Sequence, residues 1–310
     1  MEMMFLKGLS QLLDNMKRLV VIIFLFLFIF DLRSQQVAMF SQYFLNDAVY
    51  NPAISGSKDY SPLVFQTRKQ WLGFDGSPFF SNISYHGSVN NRSALGGFLD
   101  YHHTSPSNHT NLQLNYAYHV PLNSDDVFLS FGVGSKIMYY YLDFNESDLP
   151  PGYDPAFSAN AYQSVSGNAS SGVYLYGKNF HVGYSIINMI PSDFNTDGSY
   201  GFSKNIEEKT YYGLLGYDFD FNQVWDISPS ILIRKLDNGN AEYNLSGKVS
   251  YLDQVWSAIS IRSTSSLSFM TGFYLPTFDF GYSFDHYFGE ISRHQNGTHE
   301  IVLSFRIQNL

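Results

Sequence analysis

Residues 111–120 read NLQLNYAYHV. Leu112, Leu114, Tyr116, Tyr118 and Val120 alternate with Asn111, Gln113, Asn115, Ala117 and His119. A period of two is the signature of a strand with one apolar and one polar face. The same pattern recurs downstream. Tyr243, Leu245, Val249 and Tyr251 alternate with Glu242, Asn244, Ser246, Lys248 and Ser250. Phe278, Phe280, Tyr282 and Phe284 alternate with Asp279, Gly281, Ser283 and Asp285. Fourteen such segments are expected, starting near residues 61, 79, 93, 110, 126, 169, 179, 209, 224, 241, 254, 266, 277 and 298. Most would run 9–13 residues, enough for a tilted strand to cross a bilayer.

Alternation does not say which face is buried, because a soluble sandwich produces the same string. The charges sit on the polar face at Arg68, Asp100, Lys136, Arg234, Glu242, Lys248, Arg262, Asp279, Asp285 and Arg306. Lys69 and Lys235 depart from this near strand ends, where a lysine snorkels to headgroups. Aromatic residues gather near strand ends, at Trp71, Tyr101, Tyr139–Tyr141, Trp225, Tyr251 and Tyr274, in the manner of membrane girdles. The predicted fold is therefore all-β, a transmembrane antiparallel barrel of about 14 strands over residues 60–310, closed so that no sheet edge meets lipid. Connections after even strands are short, as periplasmic turns are. The long ones, His103–Ser107, Asp143–Asn168, Ile190–Glu208 and Asp285–Gly297, follow odd strands.

Leu19–Phe30 is an unbroken apolar run, LVVIIFLFLFIF, preceded by Lys17-Arg18 and followed by Ser34. It is too short for a spanning helix, which needs about 20 residues, and has the parts of an export signal. Residues 1–34 are expected to be that signal, with 1–15 an upstream extension and cleavage after Ser34. These 34 residues hold four basic and three acidic groups. The remainder keeps 14 and 24, a charge of −10. No basic stripe is left to neutralise phosphates, so nucleic acid is not an expected partner. The chain has no cysteine, which excludes disulfides, thiolate sites and a lipid-anchored N-terminal cysteine. Residues 35–59 precede the first strand and contain Asn51-Pro52, which suits a turn. They are expected to form a plug or a periplasmic segment.

The segment Gln35–Ser57, QQVAMFSQYFLNDAVYNPAISGS, resembles the N-terminal signature of the PorP/SprF family of Bacteroidetes outer-membrane proteins. The pieces that carry the likeness are Phe40-Ser41-Gln42-Tyr43 and Asn51-Pro52-Ala53. The likeness continues through Arg68-Lys69-Gln70-Trp71 and Gly73-Phe74-Asp75-Gly76, and near the end through Phe280-Gly281-Tyr282-Ser283-Phe284-Asp285 and His299-Glu300-Ile301. Two departures stand out: Val37-Ala38 replaces an acidic-Pro pair, and the chain ends without a terminal aromatic. The resemblance implies a FadL-like barrel that works with the type IX secretion system. Its implied partners are other components of that system and the C-terminal domain of a large secreted adhesin, which it would help to export or to hold at the surface. In that membrane it would also meet lipid and lipopolysaccharide.

Nothing in the sequence assembles a catalytic or cofactor site. His102-His103 is the one histidine pair, and neighbours on a strand face opposite sides. Asp285-His286 and His299-Glu300 lack a serine in a nucleophile-elbow setting. No enzyme activity, metal or cofactor is expected. Arg68 and Gln70 fall on the polar face and Trp71 on the lipid face; a guanidinium inside a lumen needs a carboxylate, and Asp100 faces the same way. Tyr153, Phe157, Tyr162, Phe194, Tyr200 and Phe202 in the long connections are the candidate partner anchors. The alternative reading is a FadL-like channel for small or apolar solutes, for which Pro229 would mark a strand kink.

Overall fold

The computed structural model describes residues 39–123, 126–143, 161–190, 208–221 and 224–308. The signal region 1–34, residues 35–38, and Tyr153, Phe157, Phe194, Tyr200 and Phe202 lie outside them. The strands are β1 Tyr60–Lys69, β2 Phe79–Ser88, β3 Ser93–Thr104, β4 Ser107–Asn123, β5 Val127–Asp143, β6 Ala161–Gly177, β7 Phe180–Ile187 and β8 Thr210–Tyr217. They continue with β9 Phe219–Phe221, β10 Trp225–Leu236, β11 Ala241–Tyr251, β12 Val255–Arg262, β13 Ser266–Tyr274, β14 Phe278–Tyr287 and β15 Thr298–Gln308. Each pairs antiparallel with its neighbours, and β1 pairs with β15 from Tyr60↔Gln308 to Lys69↔His299, so the sheet closes.

β8 and β9 are one strand with a lapse. Gly216 pairs with Ser230 and Phe219 with Ile227 in a single register against β10. The lapse lies opposite Ser228-Pro229, where proline offers no N–H. On the other side the ladder goes on: the Asp218 amide donates to the Asn179 carbonyl at 2.7 Å, in the register that pairs Phe180 of β7 with Tyr217. The barrel thus has fourteen staves, the number the alternation predicts.

The two faces are inverted relative to a soluble protein. Along β11, Tyr243, Leu245, Val249 and Tyr251 are 38–48% exposed, while Glu242, Asn244, Ser246 and Ser250 are at most 4% exposed. Outward apolar and inward polar side chains recur on the other strands, an arrangement stable only with lipid outside.

Three features differ from the sequence expectation. β4, β5 and β6 each run 17 residues, and β6 begins at Ala161, so the second part of the expected Asp143–Asn168 loop is strand. Tyr162 belongs to that strand. The connection expected at His103–Ser107 is a two-residue turn, with Thr104 paired to Ser107. Trp71 is not on a strand. It follows β1 with a left-handed φ of 52°, which takes its ring off the outward face and sets it edge-on to Tyr287, centroids 6.1 Å apart.

Candidate functional site

Residues 39–57 lie among the inward-facing side chains. The segment is built from three single turns of 3-10 helix, Tyr43–Leu45, Asp47–Val49 and Pro52–Ile54. Asn51 starts the third: its side chain accepts from the Ala53 amide at 2.9 Å, and Pro52 supplies a preset φ at the first helical position. Its backbone runs too close to the wall for side chains at some points. A Cβ on Gly132 of β5 would collide with the Ala53 backbone, and one on Gly281 of β14 with the Gln42 side chain.

The strongest attachments gather where β12, β14, β15 and β1 meet, toward the end of the barrel that carries the β1–β2 and β14–β15 connections. Arg68 of β1 is fully buried. Its Nη2 lies 2.7 Å from Asp285 Oδ2 and its Nη1 3.0 Å from Glu300 Oε2. Nη2 also donates to Tyr287 Oη at 3.1 Å, and Nη1 to Ser41 Oγ at 3.1 Å. Arg262 donates to the same Ser41 Oγ at 3.1 Å, and that hydroxyl donates to Asp285 at 2.7 Å. Glu300 accepts the amides of Ser41 and Gln42, each at 2.9 Å, and the Gln66 side chain at 3.1 Å. Two guanidinium and two carboxylate groups therefore balance in charge, with residues 41 and 42 in their midst. Charge-assisted bonds of this kind are the strong class, and removing one member of a buried set leaves an uncompensated charge.

Further along, the segment is tied at intervals. Asn46 donates to Gln66 and Asn82 at 3.1 and 3.0 Å and accepts from Ser84 at 2.7 Å. The Tyr43 hydroxyl meets Ser230 Oγ at 2.7 Å, and Phe40 N donates to Tyr50 Oη at 3.1 Å. Asn51 donates to the Val173 carbonyl at 3.0 Å, and Ser185 donates to the Tyr50 carbonyl. At the far end Gly56 N donates to His86 Nδ1 at 3.0 Å, and Lys58 pairs with Asp47 at 3.4 Å. Burial alone would lower the Lys58 pKa; Asp47, Tyr60 and Asp279 together outweigh that and hold it above its ordinary value.

The structure brings Phe40, Gln42, Tyr43, Asn51, Pro52, Arg68, Asp285 and Glu300 into this interior, with Gln70 buried beside it and Gly281 against Gln42. Asp100 is not the carboxylate on Arg68; it accepts from Asn111 at 2.7 Å and lies 3.2 Å from His102. Tyr282 and His299 face the other way. Their side chains bond to each other at 2.8 Å on the outward side, next to Phe284. Asp75 and Gly76 sit in the exposed β1–β2 connection, where Gly76 takes a φ of 68°. Ser41 and Gln66 were not foreseen as site residues. The polar-face pattern places Gln66, whereas no periodicity marks Ser41.

Comparison with known proteins agrees with this architecture. The toluene transporter TbuX of Ralstonia pickettii superposes with a TM-score of 0.51 at 8% identity, over 85% of this chain and 93% of that one. A FadL homologue of Pseudomonas aeruginosa gives 0.49 at 10% identity, over 84% and 93%. The Pseudomonas putida toluene transporter TodX gives 0.47 at 10% identity, over 86% and 94%. At such identities the likeness to TbuX shows a shared barrel fold and nothing of its cargo. No curated protein matches the chain. The family model described as type IX secretion system membrane protein PorP/SprF matches residues 32–305. A closed barrel with an apolar exterior, in a family of secretion-system membrane proteins, is an outer-membrane protein. The chain belongs to the PorP/SprF family of the type IX secretion system.

Proposed function

We propose that this barrel works without catalysis, as the outer-membrane partner of a large secreted adhesin whose C-terminal domain it helps to export or to hold at the surface. The observation that carries the reading is the N-terminal segment keyed into the Arg68–Asp285–Glu300 cluster. With residues 35–59 as a plug, the lumen is not a free path for solutes, and work with a partner falls to the rims and external connections. Family membership supports the link to the secretion machinery. The aromatic anchors in this reading are Tyr153, Phe157, Tyr162, Phe194, Tyr200 and Phe202.

The test is a pull-down of the tagged barrel from detergent extract, combined with immunoblots of cells and medium. Wild type should carry a large secreted protein with it. Tyr153→Ala with Phe157→Ala, or Tyr200→Ala with Phe202→Ala, should leave the heat-modifiable barrel band intact and shift that protein to the medium. Unchanged surface retention in both double variants would remove these rings as anchors. A second reading, a channel for small or apolar solutes, is favoured by the lapse in the ladder at Pro229. It predicts solute uptake that a Pro229→Val variant with a continuous ladder would reduce.

A further inference from the structure

The outward positions of the strands are almost free of ionisable groups. Tyrosine apart, those among the described residues are Lys69, His103, Asp143, Lys235, His286 and His299. All lie toward the end that carries the β1–β2 and β14–β15 connections, the external end by the rule that short turns face the periplasm. They are unevenly spread around it. His286, His299, Lys69 and His103 belong to β14, β15, β1 and β3, and no carboxylate takes an outward position on these strands or on β2 between the last two. Lys235 stands by itself on β10, and Asp143 lies two strands beyond His103 on β5.

Register sets three of these groups in one row. Lys69 pairs across the ladder with His299 on one side and Phe79 on the other, and Phe79 pairs with His103. Neighbouring strands are about 4.8 Å apart, so in backbone spacing His299 is about 5 Å and His103 about 10 Å from Lys69. Lys69 Nζ donates to the Ser77 carbonyl at 2.8 Å, which draws the ammonium toward the rim and leaves two of its N–H donors. Among the described residues no carboxylate lies within 4 Å of it. His299 and His103 each use Nδ1, on Tyr282 and Asn108 respectively, at 2.8 Å. Nε2 of each ring has no hydrogen-bond partner among the described residues. Toward the middle of the wall the same face is apolar: Phe65, Ile83, Leu99 and Ile301 are 39–46% exposed.

An ammonium, two imidazoles and an apolar strip beneath them thus form one surface on which nothing cancels the positive charge. Imidazole nitrogens, like the ammonium, can hold a proton that a phosphate oxygen accepts. We infer that this outward row binds the phosphorylated headgroup of an outer-leaflet lipid, with phosphate oxygens on Lys69 Nζ and the imidazoles beside it, and acyl chains along Phe65 and Ile301. Free phosphate offers the same charge and cannot use the apolar strip. The site is on the outside of the barrel and does not depend on the surface-retention reading.

The experiment is native mass spectrometry of the full chain in detergent micelles with diphosphoryl lipid A, repeated with the same lipid stripped of its phosphates. The phosphorylated lipid should bind at least about tenfold more tightly. Lys69→Met should weaken it by at least about tenfold, Lys69→Arg should keep it, and His103→Gln with His299→Gln should weaken it by at least about threefold. Lys235→Met removes the solitary outward lysine and should leave the affinity as it is, which separates this row from ordinary contact of rim lysines with headgroups. An excess of inorganic phosphate should not displace the lipid. If Lys69→Met fails to give a folded barrel, the histidine double variant and the two lipids on wild type decide the matter. Equal binding of the two lipids, displacement by inorganic phosphate, wild-type affinity in folded Lys69→Met or in the histidine double variant, or an equal loss in Lys235→Met would overturn the assignment.

Discussion

Near one rim of the lumen, Arg68, Arg262, Asp285 and Glu300 are packed within hydrogen-bond reach of residues 41 and 42, and none is more than 6% exposed. Near the other rim, Lys248 and Asp226 share a cavity and do not touch. Both clusters are built from inward positions of barrel strands, β1, β12, β14 and β15 for the first and β10 and β11 for the second, so alternation alone cannot distinguish them. What separates them is how the N-terminal segment meets them: it encloses the first cluster, whereas beside the second it lends only Phe44, Leu45 and Lys58 to the lining of a cavity that stays open. Charges stripped of water must be paired closely or they destabilise the fold, whereas charges facing a solvated cup need not be. The first cluster therefore reads as a lock on the segment, and the second as charges left to water.

The difference can be broken most severely at the lock. Glu300→Ala should cost about 3–5 kcal/mol, because it leaves Arg68 without one carboxylate and the Ser41 and Gln42 amides without an acceptor. Denaturant unfolding of the refolded barrel measures this. Arg306→Met in the cup, where the guanidinium is about a third exposed, should cost much less. Equal losses would mean that the two ends are alike.

The next largest effect concerns the wall. Leu245→Arg puts a charge in lipid and should cost about 2–4 kcal/mol if it lies near the midplane. The matched inward change is better made at Ser228, which lines the open cavity, than at Asn244, which is fully enclosed. Ser228→Arg should refold with nearly wild-type yield; folded yield in detergent, read as the heat-modifiable gel shift, compares the two. A third and smaller effect sharpens the role of the segment. Gly132→Val would drive a side chain into the Ala53 backbone, and overpacking of this kind costs about 1–3 kcal/mol. That loss should vanish when residues 35–59 are deleted, which a double-mutant comparison of unfolding midpoints would reveal.

Much of the wall was legible in the sequence, because a strand with lipid on one face and polar groups on the other must alternate strictly. Thirteen of the fourteen expected starts fall within three residues of the observed ones, from Tyr60 to Thr298. The exception is β6, whose first turns, AYQSVSGN, carry small and polar residues on both faces and so lack the alternating signal. The lock was half legible. Period two puts Arg68, Asp285 and Glu300 on the inner face, but it does not say which strand lies beside which. Asp100 on β3 is two strands from β1, while closure sets Glu300 directly opposite Arg68. Trp71 was misplaced because a left-handed backbone angle ends the strand parity at that residue, and nothing in the alternation announces it.

The central claim is that the N-terminal segment closes the lumen, and single-channel recording in planar bilayers tests it most directly. The wild-type barrel should conduct poorly. The same barrel lacking residues 35–59 should show discrete openings of much larger conductance while keeping its heat-modifiable band. Identical conductance of the two folded proteins would mean that the segment does not obstruct the pore, and the account of the lock as a closure device would fail.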